Sequence, residues 1–156
     1  MTKASKDTIS ILQYNLNKNQ RITESVLNHP DSQRYMILML QEQYWSEYNQ
    51  SSPMHHSWTL IEPTHKGDKP PRTAIYINNK ILPATDYKSI HIPLSDVTAI
   101  KIRLKNLQKP MLLINIYNPT NDSLIKSLNE EIRKHIKTRD YAAILAGGDF
   151  NLHHPL

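Results

Sequence analysis

Four apolar runs in this 156-residue chain break off in side chains that carry oxygen. "ILQYNLN" ends in Asn15 and Asn17, and "ILMLQEQYW" breaks at Glu42. "LLINIYNPT" ends in Tyr117 and Asn118, and "AILAGGDFN" ends in Asp149 and Asn151. One such residue after a strand is ordinary, since asparagine and aspartate favour turns. Carboxylates and carboxamides after several strands form an oxygen-rich set, which suits a hard divalent cation, Mg²⁺ or Mn²⁺, needing few protein ligands.

Such a set needs strands whose ends converge, as they do in layered α/β folds. Strands are expected over Thr8–Tyr14, Tyr35–Leu40, His56–Ile61, Arg72–Asn78, Val97–Lys105, Met111–Tyr117 and Tyr141–Ala146. "YMILML", "MLLINIY" and "YAAILA" are apolar throughout, as strands covered on both faces are. "VTAIKIRLK" alternates, with Ile100, Ile102 and Leu104 opposite Lys101, Arg103 and Lys105, the pattern of a half-solvated strand. Helices are expected over Asn19–His29, ending before Pro30, and from about Asp122 to Thr138. In the second, Leu124, Ile125, Leu128, Ile132 and Ile136 share one face, and basic residues crowd the C-terminal end. The order of elements is mixed α/β.

Composition narrows the classes. There are no cysteines, so disulfides, thiolate zinc sites and cysteine nucleophiles are excluded. No apolar run is long enough to span a membrane, and "MTKASKDT" carries no secretory apolar segment, so a nuclear or cytoplasmic rather than secreted protein is expected. The formal charge of +5 is compatible with a phosphate-rich partner. His55 and His56 precede a strand and read as loop residues.

In order, "QYNLN", "LQEQYW", "INIYNPT" and "GGDFN" resemble successive signatures of the endonuclease/exonuclease/phosphatase superfamily. "RTAIYIN" and "GDFNLHHPL" also resemble the fungal type of the endonuclease domain of non-LTR retrotransposons, elements that also carry a reverse transcriptase. The resemblance spans Ile9 to Leu156 and implies one domain over 1–156. It implies a deoxyribonuclease I-like α/β fold, a four-layer sandwich of two mixed β-sheets flanked by helices. It implies Mg²⁺- or Mn²⁺-assisted hydrolysis of phosphate esters, with DNA as the partner. Glu42 matches the metal-binding glutamate, and Asn15 the asparagine that orients the metal or its waters. Tyr117 matches the tyrosine that contacts the scissile phosphate. Asp149 matches the aspartate that orients or deprotonates the attacking water. Asn151 matches the donor to a phosphate oxygen, at a spacing that puts both side chains on one face of an extended turn. Asn17, two residues past Asn15, would point the same way in an extended strand. Asn17, Arg72, Asn118 and His153 are assigned to substrate contacts.

The family pattern also includes further strands and a late Ser-Asp-His signature with a second metal-site aspartate, and this sequence contains neither. The second half of the sandwich is therefore expected to be incomplete. This short form is expected to be inactive alone, and marginally stable, self-associating or completed by another polypeptide. Alternative readings are a phosphoesterase acting on RNA or phosphoinositides, and a non-catalytic nucleic-acid-binding remnant using Lys101, Arg103 and Lys105.

Overall fold

The computed structural model describes residues 8–119 and 122–151. These form strands β1 (Ile11–Asn15), helix α1 (Gln20–Asn28), β2 (Ile37–Gln41), β3 (Trp58–Ile61), β4 (Thr73–Asn78), β5 (Tyr87–Ile90), β6 (Val97–Ile102), β7 (Met111–Tyr117), helix α2 (Asp122–His135) and β8 (Ala143–Asp149), with three short 3-10 turns. The strands make two four-stranded sheets, ordered β1-β2-β4-β3 and β5-β6-β7-β8. Both sheets use the same scheme. A parallel pair, β1 with β2 or β7 with β8, is joined through its helix, as parallel neighbours require. Antiparallel strands extend each pair: β4 then β3 on one side, β6 then β5 on the other.

Alternation along the strands builds the layers. From β2, Ile37 and Met39 face the other sheet and pack with Ile75, Ile77, Ile100, Ile102 and Leu113. Leu38 and Leu40 face outward and pack with Leu27 of α1, Trp58 and Tyr76. Outward residues of the second sheet, Val97, Ala99, Leu112, Ile114 and Ile116, pack with Leu128 and Ile136, and Leu124, Ile125 and Ile132 join them. The expected helical stripe thus covers the second sheet, and the layers run helix, sheet, sheet, helix. Helix α1 begins where expected, because the Asn19 side chain accepts a hydrogen bond from the Ile22 N–H at 3.0 Å.

Three expectations are corrected. Strand β8 continues through both glycines to Asp149, and its first four residues are exposed, with Ile144 at 37% and Leu145 at 43%. It is an edge strand: β7 lies on one side, and among the described residues nothing pairs on the other. "YAAILA" is therefore not a strand covered on both faces. Strand β6 ends at Ile102 and is half-solvated only at that end, because α2 covers Val97 and Ala99. Strand β5, a short edge strand with only a weak apolar signal in "YKSI", was not among the expected strands.

Candidate active site

Because β1 is parallel to β2 and β7 to β8, the carboxyl ends of each pair lie side by side. Asn15 stands opposite Gln41 in the first sheet, and Tyr117 opposite Asp149 in the second. The sandwich brings these two corners together. Asn15 Nδ2 donates to Asp149 Oδ2 at 2.8 Å, and Tyr117 Oη donates to Glu42 Oε1 at 3.1 Å. Each hydrogen bond joins one sheet to the other.

The backbone leaves both corners in the same way. The Asn17 N–H donates to Asn15 Oδ1 at 2.9 Å, and the Asn151 N–H donates to Asp149 Oδ1 at 3.2 Å. These are side-chain-closed turns, a geometry that Asn and Asp readily form. Among the described residues, five non-glycine residues have left-handed φ, and four of them are here: Asn17 (48°), Lys18 (56°), Glu42 (48°) and Asn151 (43°). Left-handed Lys and Glu cost roughly 1 kcal/mol each, and such residues concentrate at functional sites. The Lys18 N–H donates to the Glu42 carbonyl at 2.6 Å, so the two strained turns hold each other.

Arg72 and Asp96 brace the opposite side. Arg72 Nε and Nη2 donate to Asp96 Oδ1 and Oδ2 at 3.1 and 2.6 Å. The guanidinium lies 4.5 Å from the Tyr117 ring centre, a cation–π contact. The Arg72 carbonyl accepts the Glu42 N–H, and the Asp96 carbonyl accepts the Tyr117 N–H. The hydrogen bond to Asp96 holds the guanidinium above its ordinary pKa, although burial opposes this. Burial, and then the hydrogen bond to Glu42, push the Tyr117 phenol above its ordinary value, so it is a proton donor at neutral pH.

Beneath the site the space between the sheets is polar. Gln41 Nε2 donates to Asn115 Oδ1 at 2.6 Å, and Asn115 Nδ2 donates to the carbonyls of Leu40 and Ala74 at 3.0 and 2.9 Å. The Thr73 and Thr98 hydroxyls share a hydrogen bond of 2.8 Å. All four residues are buried. They are not evident as strand-end residues. Their signal is that the inward positions Ile37-Met39-Gln41, Ile77-Ile75-Thr73, Ile102-Ile100-Thr98 and Met111-Leu113-Asn115 all turn polar at one end. Asp96 has no comparable signal, because it lies in the loop before β6.

Two glycines make the close approach possible. Gly148 has φ of 143°, and a Cβ there would lie 1.9 Å from the Ile116 carbonyl oxygen. A Cβ on Gly147 would lie 3.1 Å from Met39 Cε.

Asn15, Glu42, Tyr117, Asp149 and Asn151 thus form one cluster, with Arg72 against it. Two geometric expectations fail. Asn17 lies past the end of β1 in a left-handed turn, so extended-strand alternation with Asn15 does not apply. Asn151 is likewise left-handed, and its Nδ2 donates to the Asn118 carbonyl at 2.7 Å. Asn118 is fully buried and donates through its N–H to the Asp149 carbonyl and through Nδ2 to the Phe150 carbonyl, both at 2.8 Å. It braces the turn at 149–151 from within. His153 lies outside the described residues. Lys101, Arg103 and Lys105 are at the Ile102–Met111 end of the second sheet, away from the cluster.

Among the described residues no three His, Cys, Asp or Glu side chains gather as a metal cluster. The donors present are two carboxylates, Glu42 and Asp149, with the carboxamides of Asn15 and Asn151. That hard, sparse set fits Mg²⁺ or Mn²⁺ completed by water, and fits zinc poorly.

No family model matches the sequence, and no curated protein matches it. Solved structures do. The endonuclease domain of TRAS1, a telomere-specific non-LTR retrotransposon, superposes with a TM-score of 0.66 at 18% identity, covering 93% of this chain and 61% of that one. The chain has a deoxyribonuclease I-like α/β sandwich fold. A conserved Enterococcus faecalis V583 protein of unknown function matches with a TM-score of 0.62 at 17% identity, covering 93% of this chain and 68% of that one. TDP2 from Caenorhabditis elegans matches at 0.59 and 15% identity, covering 93% and 48%. The chain therefore spans about half to two thirds of these structures. Among the described residues no helix is long and apolar enough to cross a membrane.

Proposed function

We propose that this chain carries the metal- and phosphate-binding part of a phosphodiester hydrolase of the retrotransposon DNA endonuclease type. The observation that carries the reading is the meeting of the two parallel strand pairs, which sets Asn15 against Asp149 and Tyr117 against Glu42. Nothing in core packing requires five oxygen-bearing side chains, two of them on left-handed residues, at one corner.

A divalent cation held by Glu42, with Asn15 and Asp149 beside it, would supply charge neutralisation at the phosphate. Tyr117, protonated at neutral pH, has one O–H, which would turn from Glu42 to a phosphate oxygen once Glu42 holds the cation. Asn151 keeps one amide hydrogen beyond that given to Asn118 and can donate to the same group. Asp149, held by Asn15 and by the Asn151 N–H, orients the attacking water and accepts its proton. Arg72 is committed to Asp96 and Tyr117, so its part is to position the phenol.

Supercoiled plasmid with Mg²⁺ tests the reading. A longer chain carrying a late Ser-Asp-His signature is expected to nick it, and E42Q or D149N in that chain to slow nicking by about 10²-fold or more. Undiminished nicking by E42Q would overturn the reading.

A further inference from the structure

A cleft of about 390 Å³ opens beside the site, within the roughly 300–1,000 Å³ range of small-ligand clefts. Its walls include Tyr44, Trp45, Pro70 and Pro71, with Lys18 and Arg72 at the side nearest the cluster. Arg72 is the partition, since its guanidinium lies over Tyr117 and the residue also lines the cleft. Lys18 is tied to Glu42 by the 2.6 Å backbone bond, so cleft and cluster share both rims.

The walls are fixed in place. The Tyr44 N–H donates to Thr23 Oγ1 of α1 at 3.1 Å. Gln43, also lining the cleft and 2% exposed, donates from Nε2 to Ser52 Oγ and to the Pro71 carbonyl at 3.2 and 3.0 Å. Its Oε1 is buried and has no hydrogen-bond partner among the described residues. Trp45 is half-buried, whereas Trp58, the other tryptophan, is in the core with its Nε1 donating to the Leu27 carbonyl.

We propose that this cleft binds a nucleobase next to the phosphodiester held at the Glu42–Asp149 cluster. The proposal rests on the phosphodiester reading of that cluster. A flat base offers apolar π-faces to Tyr44, Trp45, Pro70 and Pro71. Lys18 and Lys69 on the lining supply positive charge for the backbone that carries the base. Glu47 also lines the cleft, which suits an uncharged base better than a second phosphate. A proline-rich peptide could also meet aromatic walls, but it would leave the shared rim with the cluster unused.

Trp45 fluorescence tests this without any turnover. A short single-stranded oligonucleotide and a baseless oligomer of the same phosphate backbone are titrated against the chain in metal-free buffer. W45F assigns the signal, because Trp58 remains buried. The oligonucleotide is expected to quench Trp45 and to bind about ten-fold or more tighter than the baseless oligomer. Equal affinity for the two, no quenching, or tighter binding of a polyproline peptide would overturn the proposal. The comparison of the two oligomers on the unaltered chain decides even if W45F fails to fold. Base-dependent quenching with no Mg²⁺-dependent nicking by the longer chain would keep the cleft and remove the hydrolase reading. Nicking without base-dependent quenching would do the reverse.

Discussion

Asn15 Nδ2 and Asp149 Oδ2, 134 residues apart in sequence, meet at 2.8 Å and join the outermost strands of two different sheets. Each of these residues also closes the turn that follows it, so one contact sets the positions of both turns. N15A is expected to lower stability by about 1 kcal/mol, the scale of a charge-assisted hydrogen bond reduced by exposure. N15D places a second carboxylate against Asp149 and is expected to cost more than N15A at neutral pH. Urea unfolding of the two variants checks the order, and N15D more stable than N15A would contradict it.

The glycine pair separates a steric requirement from a merely tight fit. G148A drives a Cβ into the Ile116 carbonyl, at a φ that alanine rarely adopts, and is expected to cost about 3 kcal/mol or more. G147A meets the movable end of Met39 and is expected to cost roughly 1 kcal/mol. Thermal unfolding distinguishes them, and equal costs would refute the close β7–β8 approach.

The polar floor should act as a unit. N115L removes the donors to the Leu40 and Ala74 carbonyls and the acceptor of Gln41 Nε2. A loss of about 3 kcal/mol is expected. A double-mutant cycle with Q41L should show coupling, because Q41L first makes N115L less costly. Strict additivity would contradict the network.

Alkaline stability follows from the tyrosines. Burial above all, with Glu62 adding to it, raises the Tyr76 phenol well above the ordinary 10.0, and its hydroxyl donates to the Pro53 carbonyl at 2.8 Å. A raised folded-state pKa contributes stability fully present below the unfolded value and lost as pH rises through the folded value. The chain should therefore lose stability above pH 10.0, and tyrosinate absorbance from Tyr76 should appear with unfolding rather than before it. Y76F should show a shallower alkaline loss. A Tyr76 that ionises with the fold intact would contradict this.

Much of the site is legible in sequence, because β2 and β7 are apolar runs broken by chemically distinct residues, Glu42 and Tyr117. The two helices were legible for the same physical reason: Asn19 caps one, and a stripe from Leu124 to Ile136 buries the other. What escapes is what depends on the other sheet. Gln41 and Asn115 look like isolated polar residues until the sheets face each other. Left-handed turns at Lys18 and Glu42 contradict local preference and are imposed by the bond between them. "YAAILA" reads as central because its composition is apolar, yet pairing, not composition, decides whether a strand is an edge.

Glu42, with Asn15 and Asp149 beside it, is proposed to hold a divalent cation at the corner where the sheets meet. Mn²⁺ titration followed by paramagnetic broadening of the side-chain amide signals of Asn15 and Asn151 tests it, and remains sensitive when binding is weak. Those signals should broaden first, ahead of Asn28 and Asn79 elsewhere on the surface, and Mg²⁺ should restore them. In E42Q the broadening should require about ten-fold more Mn²⁺ or more. Broadening centred away from this corner, or unchanged in E42Q, would contradict the account.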